Sequence, residues 1–165
     1  MELSPVFLHQ FYNRVERILH ARGNFMGAVL EMTIVLDHSI PQERIRKCVT
    51  MLLRTLKQKS EVFRNVRLNI VDWMEDTELT NQVKPMMTVM MDSFYEDYQE
   101  KKTKKRIEIL YQYLKLYHAR SKLILLFTDG NCRMEDEKVR DEALKPFLAR
   151  KLLQITVAEN GIELG

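Results

Sequence analysis

The sequence predicts an α/β fold in which a doubly wound, mostly parallel sheet carries helices on both faces. Short runs of apolar and β-branched residues, typical of buried strands, recur along the chain. Segments with apolar residues at helical spacing separate these runs and are long enough to connect parallel strands. The chain has 165 residues, a usual length for one domain. We therefore expect a single α/β domain over residues 1–165.

The first predicted element is an N-terminal amphipathic helix within residues 1–24. Ser4 followed by Pro5 is the order expected for an N-cap and the first helical position. Gly23 and Asn24 are residue types that commonly end a helix. Apolar residues recur at helical spacing between these signals: Leu8, Phe11, Val15 and Ile18.

The next segments predict a strand, a helix and a second strand. Residues 27–36 are almost continuously apolar toward their end, which indicates a strand buried on both faces. Ser39 is a candidate N-cap for the helix that follows. The buried stripe of this helix is predicted to be Ile45, Val49, Leu52, Leu53 and Leu56. Residues 66–71 alternate as a strand, and the acidic residues 72–81 predict a solvated loop.

Two helices in series are predicted between Val83 and Ala119. In the first, Met87 and Met90 fit the core-facing stripe of a helix. The basic run over residues 101–106 separates the two patterns. Acidic neighbours balance its charge, so we predict a solvated helix end or linker there.

The C-terminal part predicts a strand, a helix and a last strand. Residues 122–127 form the clearest apolar run and end at a Thr-Asp-Gly turn signal. A helix is predicted from about residue 135 to 150, and residues 153–157 are predicted to form the last core strand.

Composition excludes several function classes. The formal net charge is +3, from 26 basic and 23 acidic residues, which gives no broad field for nucleic acid. No apolar run approaches the roughly 18 to 20 residues of a membrane span. The N-terminal residues contain no basic leader followed by an apolar stretch, so a cytoplasmic location is expected. Cys48 and Cys132 form neither a disulfide framework nor a paired metal motif, which predicts free thiols.

Two predicted strands end in an aspartate. One gives Leu36-Asp37-His38-Ser39, and the other gives Thr128-Asp129-Gly130. The carboxyl ends of parallel strands meet at one edge of a sheet, where ligands bind in open α/β folds. The two motifs are therefore predicted to lie at the same edge.

This pattern resembles the von Willebrand factor A family over roughly residues 28–158. That family has a D-x-S-x-S motif after its first strand and an aspartate in a T-D-G turn after a later strand. The resemblance implies that Asp37, Ser39 and Asp129 bind Mg²⁺ or Mn²⁺ in a metal-ion-dependent adhesion site. Oxygen ligands on convergent loops suit such cations.

The predicted adhesion site is degenerate. Pro41 stands where the motif has its second serine and offers no side-chain oxygen. The threonine ligand that the family takes from a middle loop has three candidates here: Thr77, Thr80 and Thr88. In the alternative interpretation, Asp37 and Ser39 cap a helix and Asp129 makes a turn.

The resemblance implies a non-enzymatic, intracellular protein-interaction domain that binds its protein partner at the carboxyl edge of the sheet, with or without a cation. One alternative is a metal-assisted hydrolase or phosphoryl-transfer domain with His38 as the general base. A His38–Cys132 nucleophile pair is a further catalytic alternative. Another is a structural subunit of a larger assembly.

Overall fold

The computed structural model describes residues 3–20, 29–147 and 151–165, and its centre is one six-stranded sheet. The strands are β1 (Leu30–Asp37), β2 (Val66–Glu75), β3 (Glu78–Val83), β4 (Leu123–Thr128), β5 (Leu152–Ala158) and β6 (Gly161–Leu164). The helices are α1 (Pro5–His20), α2 (Gln42–Lys59), α3 (Met86–Val89), α4 (Ile107–Tyr117) and α5 (Glu137–Leu144), with 3-10 turns at Glu61–Arg64 and Asp92–Tyr95.

The sheet has the strand order β3-β2-β1-β4-β5-β6. The four central strands are parallel, and β3 and β6 run antiparallel at the two edges. The predicted α/β class with a mostly parallel sheet is therefore confirmed. The strand order reverses between β1 and β4, which makes their carboxyl ends the topological switch point.

Helices cover both faces of the sheet because the central strands carry apolar side chains on both faces. Ile34 of β1 points into a core that includes residues of α1 and α2. Its neighbour Val35 points into the opposite core, with residues of α4 and α5. Successive side chains of a strand alternate between faces, so one buried strand serves both layers.

The N-terminal helix begins where the sequence predicts. The Ser4 hydroxyl oxygen accepts a hydrogen bond from the Phe7 backbone N–H at 3.1 Å. Gly23, Asn24 and residues 27–28 of the first predicted strand lie outside the described residues. Within the described part of the chain, no helix has the length and hydropathy that crossing a membrane requires.

The second helix has the predicted buried stripe but a different start. Ile45, with the four other residues predicted to be core-facing, is buried. Pro41, and not Ser39, occupies the N-cap position. The Pro41 carbonyl oxygen accepts the Ile45 N–H at 3.0 Å, and Ser39 is left free for a different contact.

Two edge strands, β3 and β6, lie outside the predicted strands. The predicted loop over residues 72–81 is wrong, because β2 continues to Glu75 and β3 begins at Glu78. After β5, a two-residue turn leads into β6, which pairs Val157 with Ile162. Both edge strands owe their order to hydrogen bonds with a neighbour, and their own composition carries little apolar signal.

The segment after β3 is not the long helix that the sequence predicts. Val83 pairs in β3, and Pro85 disfavours helical backbone at Lys84, so the helix begins only at Met86 and spans the four residues of α3. Met86 is buried at 5% exposure, whereas Met87, predicted to face the core, is 55% exposed. Met90 packs partly against the core, as predicted.

Candidate functional site

Asp37 ends β1 at the switch point and is 2% exposed. Its Oδ2 accepts a hydrogen bond from the Thr128 hydroxyl at 2.8 Å, which joins the ends of β1 and β4. Its Oδ1 accepts the Ser39 backbone N–H at 2.9 Å. The same oxygen is 2.7 Å from the Lys105 ammonium. The carboxylate is thus surrounded by donors.

Lys105 is the cation of this cluster. Its side chain is 2% exposed, as is that of Asp37, and the two form a buried ion pair. The Lys105 Nζ also donates to Ser39 Oγ at 2.7 Å and lies 5.4 Å from the centre of the Trp73 ring. A buried ammonium is tolerated only where charge and hydrogen bonds compensate its lost hydration, and this site supplies both.

Backbone contacts hold the basic segment, residues 101–106, across the carboxyl edge of the sheet. The Lys101 N–H donates to the His38 carbonyl at 2.8 Å, and the Thr103 hydroxyl donates to the Met74 carbonyl at 2.8 Å. The Arg106 N–H donates to Asp76 Oδ1 at 2.7 Å. The prediction of a solvated helix end or linker is therefore wrong for Lys105, because long-range contacts bury it.

His38 lies beside the ion pair but engages different partners. Its Nδ1 is 2.8 Å from the Gln99 carbonyl oxygen, which can only accept, so Nδ1 donates. Its Nε2 is 2.8 Å from Asp72 Oδ1. The ring stacks on Tyr98 with centroids 4.3 Å apart. Both ring nitrogens therefore have a partner within the chain.

The contacts described for the His38 ring include neither Asp37 nor Asp129. A general base beside a bound cation would need access to that cluster. One face of the ring is covered by Tyr98, whose hydroxyl donates to the Ile40 carbonyl at 2.6 Å. Burial, and next the negative charge of Asp37, raise the pKa of the Tyr98 hydroxyl. The geometry therefore gives no support to His38 as a hydrolytic base.

A cavity of about 470 Å³ opens next to His38 at the carboxyl edge. Its walls come from the ends of β1 and β2, from β3, and from the segment that follows α3. His38 and Asp72 contribute to the inner wall, where Asp72 Oδ2 accepts the Gln82 amide at 3.2 Å. Lys84 and Asp97 are exposed lining residues. This cavity is preformed and carries both signs of charge.

Asp129 occupies the turn after β4, as predicted, but not the ion-pair cluster. Its Oδ1 accepts the Asn131 N–H at 3.0 Å, and Oδ2 is 3.3 Å from the Asn131 amide nitrogen. Gly130, the next residue, has φ of +83°, which suits glycine. The structure thus brings together Asp37 and Ser39, while Asp129 makes the turn of the alternative interpretation.

A divalent cation does not fit between Asp37 and Ser39 while Lys105 is in place. Mg²⁺ binds oxygen ligands at about 2.1 Å, so a cation bridging these two oxygens would meet the ammonium that already bridges them. Among the described residues, no group of three His, Cys, Asp or Glu side chains converges as a metal site. The described hydrogen bonds of Asp37 include none from the candidate ligands Thr77, Thr80 and Thr88.

Among the side chains that contact the Asp37 carboxylate, the sequence prediction did not include Thr128 and Lys105. Thr128 belongs to the Thr-Asp-Gly motif, so the motif itself contained the signal for a hydroxyl at the end of β4. Lys105 is separated from Asp37 by 68 positions in the sequence, and no local pattern distinguishes it from the other basic residues of its segment.

Neither thiol is set up as a nucleophile. Burial, and next the charge of Asp37, raise the pKa of the half-buried Cys132. Burial raises the pKa of Cys48 to about 12. A thiol whose pKa is raised stays protonated near neutral pH and is a poor nucleophile. The described contacts of His38 do not include Cys132, so the predicted nucleophile pair has no geometric support.

No protein-family model and no curated protein matches this sequence. The similarity to the von Willebrand factor A family therefore stays a prediction based on the two strand-end motifs. The functional argument depends on the arrangement of side chains at the carboxyl edge.

Proposed function

We propose that this chain is a non-enzymatic protein-interaction domain that binds its partner at the carboxyl edge of the sheet. The observation that carries the proposal is the cavity of about 470 Å³ beside His38 and Asp72. Ligands of open α/β sheets bind at this edge, and pockets on an interaction surface receive the anchor side chains of a partner protein.

The chemistry of the cavity supports recognition better than catalysis. The two ring nitrogens of His38 and both carboxylate oxygens of Asp72 are occupied by contacts within the chain. These contacts already order the inner wall, so its side chains lose little conformational freedom when a partner binds. The exposed Lys84 and Asp97 at the opening are suited to pair with charged groups of a partner protein.

The proposal is tested with a variant that fills the cavity. Ser93 is an exposed residue of the cavity wall, so Ser93→Trp adds bulk there without removing a core side chain. A matched control is Gln58→Trp on α2, which adds the same side chain at an exposed position that does not line this cavity. Proteins retained from an extract by the wild type, Ser93→Trp and Gln58→Trp are compared by quantitative mass spectrometry.

We expect a protein that the wild type and Gln58→Trp retain but Ser93→Trp does not. Its affinity is then measured with purified components by calorimetry, and Ser93→Trp is expected to weaken binding at least about tenfold, or about 1.4 kcal/mol. If every retained protein binds Ser93→Trp as tightly as the wild type, the cavity is not the interaction site.

A further inference from the structure

The ammonium of Lys105 lies between two oxygens that the sequence predicts as ligands of a divalent cation. Nζ is 2.7 Å from both Asp37 Oδ1 and Ser39 Oγ. The side chains of Lys105 and Asp37 are each 2% exposed, so bulk water does not compete for their hydrogen bonds. We infer that Lys105 is a built-in cation that takes the place of Mg²⁺ or Mn²⁺ and makes the carboxyl edge independent of metal.

The charge balance of the cluster supports this inference. The other described donors to the Asp37 carboxylate are neutral: the Ser39 N–H and the Thr128 hydroxyl. Among the described ion pairs, Asp37 has Lys105 as its cation. A divalent cation added to this pair would put three positive charges beside one buried carboxylate, where low polarity strengthens their repulsion. A metal ion can therefore bind here only after the ammonium has left.

The backbone around Lys105 opposes its departure. The Lys105 carbonyl accepts the Arg133 N–H at 2.8 Å, and the Ile107 N–H donates to the Arg133 carbonyl at 2.8 Å. Together with the Arg106–Asp76 contact and the Thr103–Met74 bond that precedes the lysine, these bonds fix the chain on both sides of Lys105. Because the backbone of Lys105 is already ordered by these bonds, pairing of the ammonium with Asp37 costs little backbone conformational entropy.

The experiment is a titration with Mn²⁺, followed through the electron paramagnetic resonance of the free ion. The proteins are the wild type, Asp37→Asn, Lys105→Ala, and Lys105→Ala combined with Asp37→Asn. Lys104→Ala is the matched control, because Lys104 is the exposed neighbour in the same basic segment. Thermal melts of each protein, with and without Mn²⁺, provide a second measurement.

We expect the wild type, Lys104→Ala and Asp37→Asn to bind Mn²⁺ alike, without a saturable site that depends on Asp37. Lys105→Ala is expected to gain one saturable site, which Asp37→Asn removes. Without metal, Lys105→Ala leaves Asp37 unpaired and is expected to melt roughly 10 °C below the wild type, with partial recovery in Mn²⁺. Lys104→Ala is expected to melt with the wild type.

Two results would overturn the inference. The first is saturable Mn²⁺ binding by the wild type that Asp37→Asn abolishes, because a metal would then share the site with the lysine. The second is a folded Lys105→Ala protein that gains no Asp37-dependent site. If Lys105→Ala fails to fold, the comparison of the wild type with Asp37→Asn still decides the question. None of these measurements depends on a partner protein.

Discussion

His118 is a buried residue just before β4 whose surroundings favour the neutral ring. It is 3% exposed, its Nδ1 is 3.4 Å from the Thr33 hydroxyl, and its Nε2 has no hydrogen-bond partner among the described residues. Burial lowers the pKa of His118 below its ordinary value. A proton therefore binds more readily to this histidine in the unfolded chain than in the folded one.

This depressed pKa predicts a loss of stability on mild acidification. As the pH falls through about 6.5, the ordinary pKa of histidine, the unfolded chain takes up a proton at His118 that the folded chain does not. We expect the difference in melting temperature between His118→Gln and the wild type to shift in favour of His118→Gln between pH 7.5 and pH 5.5. His9→Gln, at an exposed position, is the control and should follow the wild type. Parallel curves for wild type and His118→Gln would contradict the assignment.

The candidate site shows which residues a sequence can reveal. The sequence predicts Asp37, Ser39 and Asp129 at the carboxyl edge because each follows a strong apolar run, which marks the end of a buried strand. The structure brings together Asp37 and Ser39, and Asp129 lies in the turn after β4. The sequence predicts a solvated Lys105 because its local neighbours are charged, and this is wrong because its partner Asp37 lies 68 positions away in the sequence. Burial of a lysine is decided by tertiary contacts, which local charge balance does not report.

At the scale of elements, two side chains hold the N-terminus of α5. Glu108 Oε2 accepts the backbone N–H groups of Glu135 and Asp136, and Asp136 caps the helix itself. Asp136 is the N-cap, and its Oδ1 accepts the Val139 backbone N–H at 3.1 Å. The helix spans only Glu137–Leu144, and the first four backbone N–H groups of a helix have no partner within it. Loss of one capping hydrogen bond therefore matters more in so short a helix. The cap is thus a local contribution to the layer that α4 and α5 form.

Asp136→Ala is expected to lower the free energy of unfolding by about 1 kcal/mol, the usual effect of losing a capping side chain. Asp136→Asn keeps an oxygen acceptor and should lose less, so the pair separates hydrogen bonding from charge. Urea unfolding followed by circular dichroism measures both variants. Equal losses for alanine and asparagine would indicate that charge, and not the cap hydrogen bond, stabilises the helix.

The elements that the sequence predicted well are those with a strong apolar pattern. The strands β1, β2, β4 and β5, and the buried stripe of α2, follow from periodicity and from runs of β-branched residues. The edge strands β3 and β6 escaped prediction because their pairing with β2 and β5 supplies the order. The predicted helix over residues 135–150 is longer than α5, and residues 148–150 lie outside the described part.

At the scale of the molecule, the sheet is the element that both core layers share. Ile34 belongs to the layer with α1 and α2, whereas Leu126 belongs to the layer with α4 and α5. Both side chains are fully buried, and β1 and β4 are hydrogen-bonded neighbours. Loss of one layer would expose the apolar face of the strands that support the other. The two layers are therefore expected to unfold together.

Ile34→Ala and Leu126→Ala test this coupling from opposite faces. Each is expected to lower the free energy of unfolding by about 2 to 5 kcal/mol, whereas Leu116→Ala, at a residue 75% exposed, should change it by no more than about 0.5 kcal/mol.

Trp73 is the one tryptophan of the chain and lies in the α4–α5 layer, so its fluorescence reports that layer alone. Far-ultraviolet circular dichroism reports the helices of both layers. Coincident urea transitions in all variants are expected for one cooperative unit, and an Ile34→Ala protein whose circular dichroism changes before its fluorescence would show that the layers unfold separately.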